Sequence, residues 1–265
     1  NITDSISCHN SQDASITVLA EGGGPYNYLM YRVAGPIVRT YQKDNIFNNL
    51  PPGEYEVWVR NNEKNCAVKF TENLIIDNPE EITISETILT DVKCHNEENG
   101  SVNIDALGGT GLLEYYVVGL TSGANINPNN TGIFTGLGDP NKSFTAYNYV
   151  ISDAKNCTLK GSFTINNPDE ITIKELDHFQ VSCNDKKDGW IKVEVAGGNG
   201  EYKFKKDVSD IAVTSDVVKV TENIFTINKY DGGFFNPVVI DVKGCSDSIE
   251  EAIEIINPDL LLIDN

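Results

Sequence analysis

The residues that most enzymes depend on are scarce. Histidine occurs three times in 265 residues, and two of these, His9 and His95, stand beside cysteines at a recurring position. There is no nucleophile elbow, P-loop or His-Glu-x-x-His stretch. Paired carboxylates (Glu80-Glu81, Glu97-Glu98, Asp169-Glu170) recur along the chain, whereas a catalytic pair is expected once, in a cleft. The chain therefore reads as a non-enzyme. Long apolar runs are also missing. The longest, Leu260 to Ile263, is far too short to span a bilayer, and nothing resembles a signal peptide. Basic residues are outnumbered, 20 against 39 acidic, for a net charge of -19. That excludes a nucleic-acid backbone as partner, favours solubility and leaves room for a hard cation. Helical periodicity is almost absent.

What is present is a repeat. The stretch from Asp153 to Ile173, D-A-K-N-C-T-L-K-G-S-F-T-I-N-N-P-D-E-I-T-I, has counterparts at Asn61 to Ile84 and at Asp241 to Ile263. The prolines Pro79, Pro168 and Pro258 recur at about 90 residues, a period that signals an array. The units are 1–79, 80–168 and 169–258. The remainder, 259–265, occupies the slot of the first strand of a following unit, as expected for a piece of a longer array.

Six cysteines fall two to a unit, one near its start and one near its end. The repeat selects pairing within units: Cys8–Cys66, Cys94–Cys157 and Cys183–Cys245. Closing a loop of about 60 residues contributes roughly 4 kcal/mol in the chain-entropy model, and such bonds persist outside a reducing cytosol. Zinc is disfavoured, because Cys8-His9 and Cys94-His95 become Cys183-Asn184 and no C-x-x-C occurs.

After each first cysteine, period-two alternation marks a half-buried strand. It points inward Ile16, Val18 and Ala20, then Val102, Ile104 and Ala106, then Ile191, Val193 and Val195. Glycine pairs follow (Gly22-Gly23, Gly108-Gly109, Gly197-Gly198). No helix pattern follows them, so they read as positive-φ corners rather than a phosphate cradle. Aromatic strands come next (Tyr26-Asn27-Tyr28, Tyr115-Tyr116, Tyr202-Lys203-Phe204). Irregular middles (Thr121 to Thr131, Asp207 to Thr221) read as loops at the sandwich ends, the second with a short strand inside. The closing hairpin of unit one points Tyr55, Val57 and Val59 to one side. Proline holds the preceding asparagine extended, giving short, stiff linkers. The fold class is all-β: three tandem β-sandwich repeats, Ig-like in architecture, end to end as an elongated rod of order 100 Å.

These pieces together resemble the SprB repeat, named after a mobile surface adhesin of gliding bacteria. The carrying residues in unit one are Cys8, Gly22-Gly23-Gly24-Pro25-Tyr26-Asn27-Tyr28, Asn49-Leu50-Pro51-Pro52-Gly53-Glu54-Tyr55, Cys66 and Asn78-Pro79. Unit two has Cys94, Asn99-Gly100-Ser101, Gly108-Gly109, Asp153 to Cys157 and Pro168. Unit three has Cys183, Asp188-Gly189, Gly197-Gly198, Asp241 to Cys245 and Pro258. Unit two lacks the Pro-Tyr pair, unit three has Gly200 in place of the proline, and unit one has Asn62 and Asn65 where the turn's aspartate and glycine are expected. The resemblance implies an extracellular, outer-membrane-attached filament, exported by type IX secretion, moved by the gliding machinery and engaged in surface attachment, with no catalytic residue. It also makes Asp4-Ser5-Ile6 and Asp247-Ser248-Ile249 resemble an O-glycosylation signal.

Two further expectations concern ligands. Calcium is the candidate cofactor, at the linker carboxylates Asp77, Glu80, Glu81, Asp169 and Glu170. Surface polysaccharide is the candidate partner of an alternative carbohydrate-binding module, through aromatics such as Tyr31, Tyr41 or Trp58. A subunit that forms fibres through exposed strand edges is a third reading.

Overall fold

The computed structural model describes residues 1–35, 40–119, 125–212 and 215–262, and every regular element among them is β. The alternating stretches form strands that pair antiparallel and pack as three two-sheet sandwiches. In the first module Ile2–Asp4, Ala14–Thr17 and Ile46–Leu50 form one sheet. Tyr26–Arg32, Gly53–Asn61, Cys66–Lys69 and Leu74–Ile76 form the other. The second module sets Thr83–Thr90, Gly100–Leu107 and Ile133–Leu137 against Asn125–Asn129, Glu114–Gly119, Phe144–Ser152 and Thr158–Asn166. The third sets Thr172–Phe179, Gly189–Ala196, Ile224–Tyr230 and Val217–Lys219 against Lys203–Lys205, Val238–Ile240 and Ser246–Ser248. A two-stranded piece, Gly233–Phe235 with Ile253–Ile255, completes it.

Each module has its own apolar core. Of the residues expected to point inward, Ile16, Val102, Ile104, Ile191, Val193, Val195, Tyr55 and Val57 are buried, and Val18 and Ala106 pack partly buried beside them. Ala20 and Val59 are half-buried. The glycine pairs all have positive φ, from 67° at Gly198 to 112° at Gly22, as the corner reading requires. In the irregular middles, Asn125–Asn129 and Val217–Lys219 are edge strands. Positions 121–124 lie outside the described residues.

The linkers belong to the downstream module. Ile82 and Ile171, three residues past Pro79 and Pro168, are counted in the second and third cores. Past Pro258 the same register leads to Leu260, Leu261 and Leu262, all exposed and in no strand; position 263 lies outside the described residues.

The cysteines do not pair within units. Cys8 is bonded to Cys157 and Cys94 to Cys245, while Cys66 and Cys183 are free and exposed. The expected bonds Cys8–Cys66, Cys94–Cys157 and Cys183–Cys245 are replaced by a stagger across module junctions. The cause is strand length. In module two the eight-residue strand Thr83–Thr90 separates the upstream linker from Cys94, so Cys94 lies at the downstream pole. The nine-residue strand Thr158–Asn166 separates Cys157 from the downstream linker, so Cys157 lies at the upstream pole. At roughly 3.3 Å per residue, such strands hold a module's own two cysteines about 30 Å apart, far beyond the 7 Å Cα limit for a disulfide.

Candidate functional site at the module junctions

Each junction is built from one donor pole and one acceptor pole. The donor pole is the loop of the opening cysteine. In all three modules this loop is a turn closed on the cysteine carbonyl: Ser11 N–H donates to Cys8 O, Glu97 N–H to Cys94 O and Lys186 N–H to Cys183 O, at 2.9, 3.2 and 3.1 Å. Asn10, Asn96 and Asp185 take the left-handed conformation there, with φ of 59°, 63° and 60°, which Asn and Asp tolerate better than most residues. A side chain six residues on ties down the residue before the cysteine. Asp13 accepts from Ser7 N–H, Asn99 from Lys93 N–H and Asp188 from Ser182 N–H. The Ser182 hydroxyl and amide together hold the Asp188 carboxyl below its ordinary value.

The residue after each cysteine reaches the linker proline. His9 Nδ1 lies 2.7 Å from Pro79 O, His95 Nδ1 lies 3.2 Å from Pro168 O, and Asn184 Nδ2 donates to Pro258 O at 2.9 Å. Asparagine in the third module therefore performs the same contact, and the two Cys-His pairs form no metal centre. His178, the remaining histidine, pairs with Glu175. Each histidine thus has a structural partner.

The acceptor pole is the closing turn plus the glycine corner. Asp153 and Asp241 are buried, and each folds its own turn. Asp153 Oδ1 accepts from Lys155 and Cys157 N–H, and Asp241 Oδ1 accepts from Lys243 and Cys245 N–H, all at 2.9 Å. Their Oδ2 atoms take Thr110 N–H and Asn199 N–H. Burial pushes the Asp241 carboxyl up, but the hydrogen bonds from Asn199, Cys245 and Lys243 outweigh it and leave the group below its ordinary value. These aspartates were visible in sequence only as the shared D-x-x-x-C pattern. Module one departs from it: Asn61, not Asn62 as the motif alignment expects, takes the aspartate's place, accepting from Glu63 and Lys64 N–H, because the turn before Cys66 is one residue longer.

In modules two and three the glycine pair admits the linker. A Cβ on Gly108 would lie 1.9 Å from Glu81 O, and one on Gly197 would lie 1.8 Å from Glu170 O. Gly109 N–H donates to Glu80 O and Gly198 N–H to Asp169 O. Direct contacts between modules complete the joint. Lys155 Nζ donates to Ser5 Oγ and Ile6 O, and Asn199 Nδ2 to Lys93 O. The disulfides close each joint beside clefts of about 380 Å³ (first junction) and 350 Å³ (second).

The calcium expectation finds no geometry. Asp77, Glu80, Glu81, Asp169 and Glu170 are exposed. Among the described residues no three His, Cys, Asp or Glu side chains are grouped to hold a metal ion. An extended linker sends successive side chains to opposite sides, so adjacent carboxylates diverge. The aromatics proposed for sugar binding are engaged within module one. Tyr31 and Trp58 both donate to Glu56, which Lys69 also contacts at 2.9 Å, and Arg60 covers the Tyr41 ring. Of the two possible glycosylation serines, Ser5 already accepts the Lys155 bond and Ser248 is half-buried.

Fold and joints together define a tandem array of β-sandwich modules bolted across their junctions. No protein-family model matches the chain, and no curated protein matches it. Among solved structures it is similar to the three N-terminal domains of Hoc, the highly immunogenic outer capsid protein of bacteriophage RB49, over 96% of this chain and 95% of that one, at 13% identity and a TM-score of 0.47. It is also similar to the FN1–FN3 domains of chicken CNTN1, over 98% of each chain at 10% identity and a TM-score of 0.33. The N-terminal eight Ig domains of Down Syndrome Cell Adhesion Molecule match over 91% of this chain, which spans 34% of theirs, at 12% identity and a TM-score of 0.33. At these values no activity or partner carries over.

Proposed function

We propose that the chain is a semi-rigid, tension-bearing spacer from an extracellular adhesive filament. In its finer form the reading is a segment of a gliding-motility surface adhesin like SprB, exported by type IX secretion and attached at the outer membrane. The observation that carries the spacer reading is the staggered disulfide, which ties each module to its neighbour rather than to itself. The motif resemblance supports the finer form. Disulfides suit an oxidising exterior, and no helix among the described residues is long and apolar enough to cross a membrane.

Small-angle scattering tests the spacer. A rod of about 100 Å has a radius of gyration of about 30 Å, whereas a compact chain of this length has about 18 Å; the smaller value overturns the reading. Binding to surface polysaccharide remains the rival function, and reproducible binding on a glycan array that is lost in Trp58→Ala would favour it.

A further inference from the structure

The chain contains two Asn-Gly steps, Asn99-Gly100 and Asn199-Gly200, and both stand at the second junction. At such a step the following backbone nitrogen can attack the asparagine side chain, because glycine has no side chain to hinder ring closure. Their settings differ. Gly100 is buried in the strand Gly100–Leu107, where a Cβ would lie 2.8 Å from Leu137 O. Gly200 lies in the glycine corner with φ of 73°, and nothing stands within 4 Å of a Cβ built on it. Its N–H donates to no protein acceptor among the described residues.

Asn199 is also the residue that spans this junction. Its Nδ2 donates to Lys93 O across the joint at 3.0 Å and to Asp241 Oδ2 at 2.7 Å, and it lies 3.7 Å from Cys245 Sγ. All three partners are acceptors. A carboxylate in this place has no N–H to offer them, and it sets a second negative charge against the buried Asp241. The first junction carries Thr110 here, whose N–H makes the corresponding bond to Asp153, so it lacks this chemistry.

We infer that Asn199 is a self-modifying latch. Its contacts hold it while the second junction is closed; once the junction opens, it converts to aspartate or isoaspartate, and the junction loses its cross-module bond for good. The Gly200 nitrogen, its proton lost to hydroxide, attacks Asn199 Cγ. The Cγ–Nδ2 bond breaks, Nδ2 leaves as ammonia after taking a proton from water, and a five-membered succinimide remains. Water then adds at either ring carbonyl and breaks that carbon's bond to the Gly200 nitrogen, which regains a proton. Opening at Cγ gives aspartate. Opening at the backbone carbonyl gives isoaspartate, with the chain rerouted through the side chain. One water is consumed, one ammonia is released and no electron is transferred. In the closed joint the three contacts restrain Nδ2, so local opening is the step that admits the reaction. The latch stands on the geometry of the joint, whether or not the array bears load.

The test incubates the full oxidised chain beside a variant with Cys94→Ser and Cys245→Ser, which keeps Cys8–Cys157, in mildly alkaline buffer. Peptide mapping follows aspartate and isoaspartate at both Asn-Gly steps. The unbolted variant should convert Asn199 at least about tenfold faster than the parent, with Asn99 converting more slowly than Asn199 in both. Equal rates in the two proteins, or equal conversion at Asn99 and Asn199, overturn the inference. Asn199→Asp reads the consequence. Dithiothreitol should reduce its Cys94–Cys245 bond at least about tenfold faster than the parent's, with Cys8–Cys157 unchanged. A Cys94–Cys245 bond reduced at the parent's rate overturns the latch. The same maps report the disulfides, so a parent without Cys94–Cys245 defeats the staggered joint itself, whereas its presence with equal Asn199 rates defeats the latch alone.

Discussion

Pulling the molecule from its ends discriminates between pairing schemes by length alone. Consider the variant with Cys66→Ser and Cys183→Ser, which keeps both observed bonds. Tension entering at Cys8 crosses to Cys157, runs back along the chain to Cys94 and crosses to Cys245. That path holds roughly 60 residues, so at about 3.5 Å each the distance from Cys8 to Cys245 cannot exceed about 220 Å even with every module unfolded. The segments on either side of module two's loaded span stay slack. With pairing inside units, the same variant would retain only Cys94–Cys157 and extend through roughly 170 residues, about 600 Å. With both bonds reduced the ceiling is roughly 240 residues, about 800 Å. Single-molecule force spectroscopy separates these values easily. The residues before Cys8 and after Cys245 add roughly 27 residues, so the end-to-end ceiling is about 320 Å. Extension past about 400 Å in oxidised protein refutes the staggered path, and so does a contour length unchanged by reductant.

Three smaller predictions concern the joint. Gly197→Ala should destabilise the third module by about 2–3 kcal/mol in urea unfolding, because its Cβ would meet Glu170 O in a conformation that L-residues resist. Gly23→Ala, with nothing near it, should cost only about 1 kcal/mol; equal losses would mean that the linker contact is immaterial. Ile171→Ala removes a buried linker side chain and should cost roughly 2–5 kcal/mol, read as a lower unfolding midpoint of the third module with the first unchanged. Asp241→Asn should destabilise at neutral pH. Since the folded carboxyl titrates below its ordinary value, its contribution is complete above about pH 4 and is lost as pH falls through the folded value. The gap between variant and parent should therefore close in acid; a gap constant from pH 7 to 2 would refute the assignment.

Much of the architecture is legible in local residue patterns, because its determinants are local. Alternation at Ile191, Val193 and Val195 sets the buried face, and the glycine pairs announce positive φ. The Asn-Pro steps mark where one core ends and the next begins. Pairing within units fails because spacing along a chain says nothing about which pole of a strand a residue occupies. The corrective signal lay in counting strands from the linkers: one strand separates Pro79 from Cys94, and one separates Cys157 from Pro168. The carboxylates at Glu80-Glu81 and Asp169-Glu170 suggested a cation, but the neighbouring backbone carbonyls are what matter at the joint, pressed onto glycine.

The stagger bears directly on stiffness. A peptide linker alone is a single pivot, and two sandwiches joined by it can swing. Here Cys94, Pro168 and Cys245 line one cleft, so a second covalent tether runs beside the first, and bending that would part the sulfurs is blocked. Asn199 reaching Lys93 O and Lys155 reaching Ile6 O add lateral contacts at the same level. On the proposed spacer reading, the joints rather than the modules set the stiffness. The edge strands Asn125–Asn129 and Val217–Lys219 can then differ between modules without altering the joint, since neither contributes a residue to it.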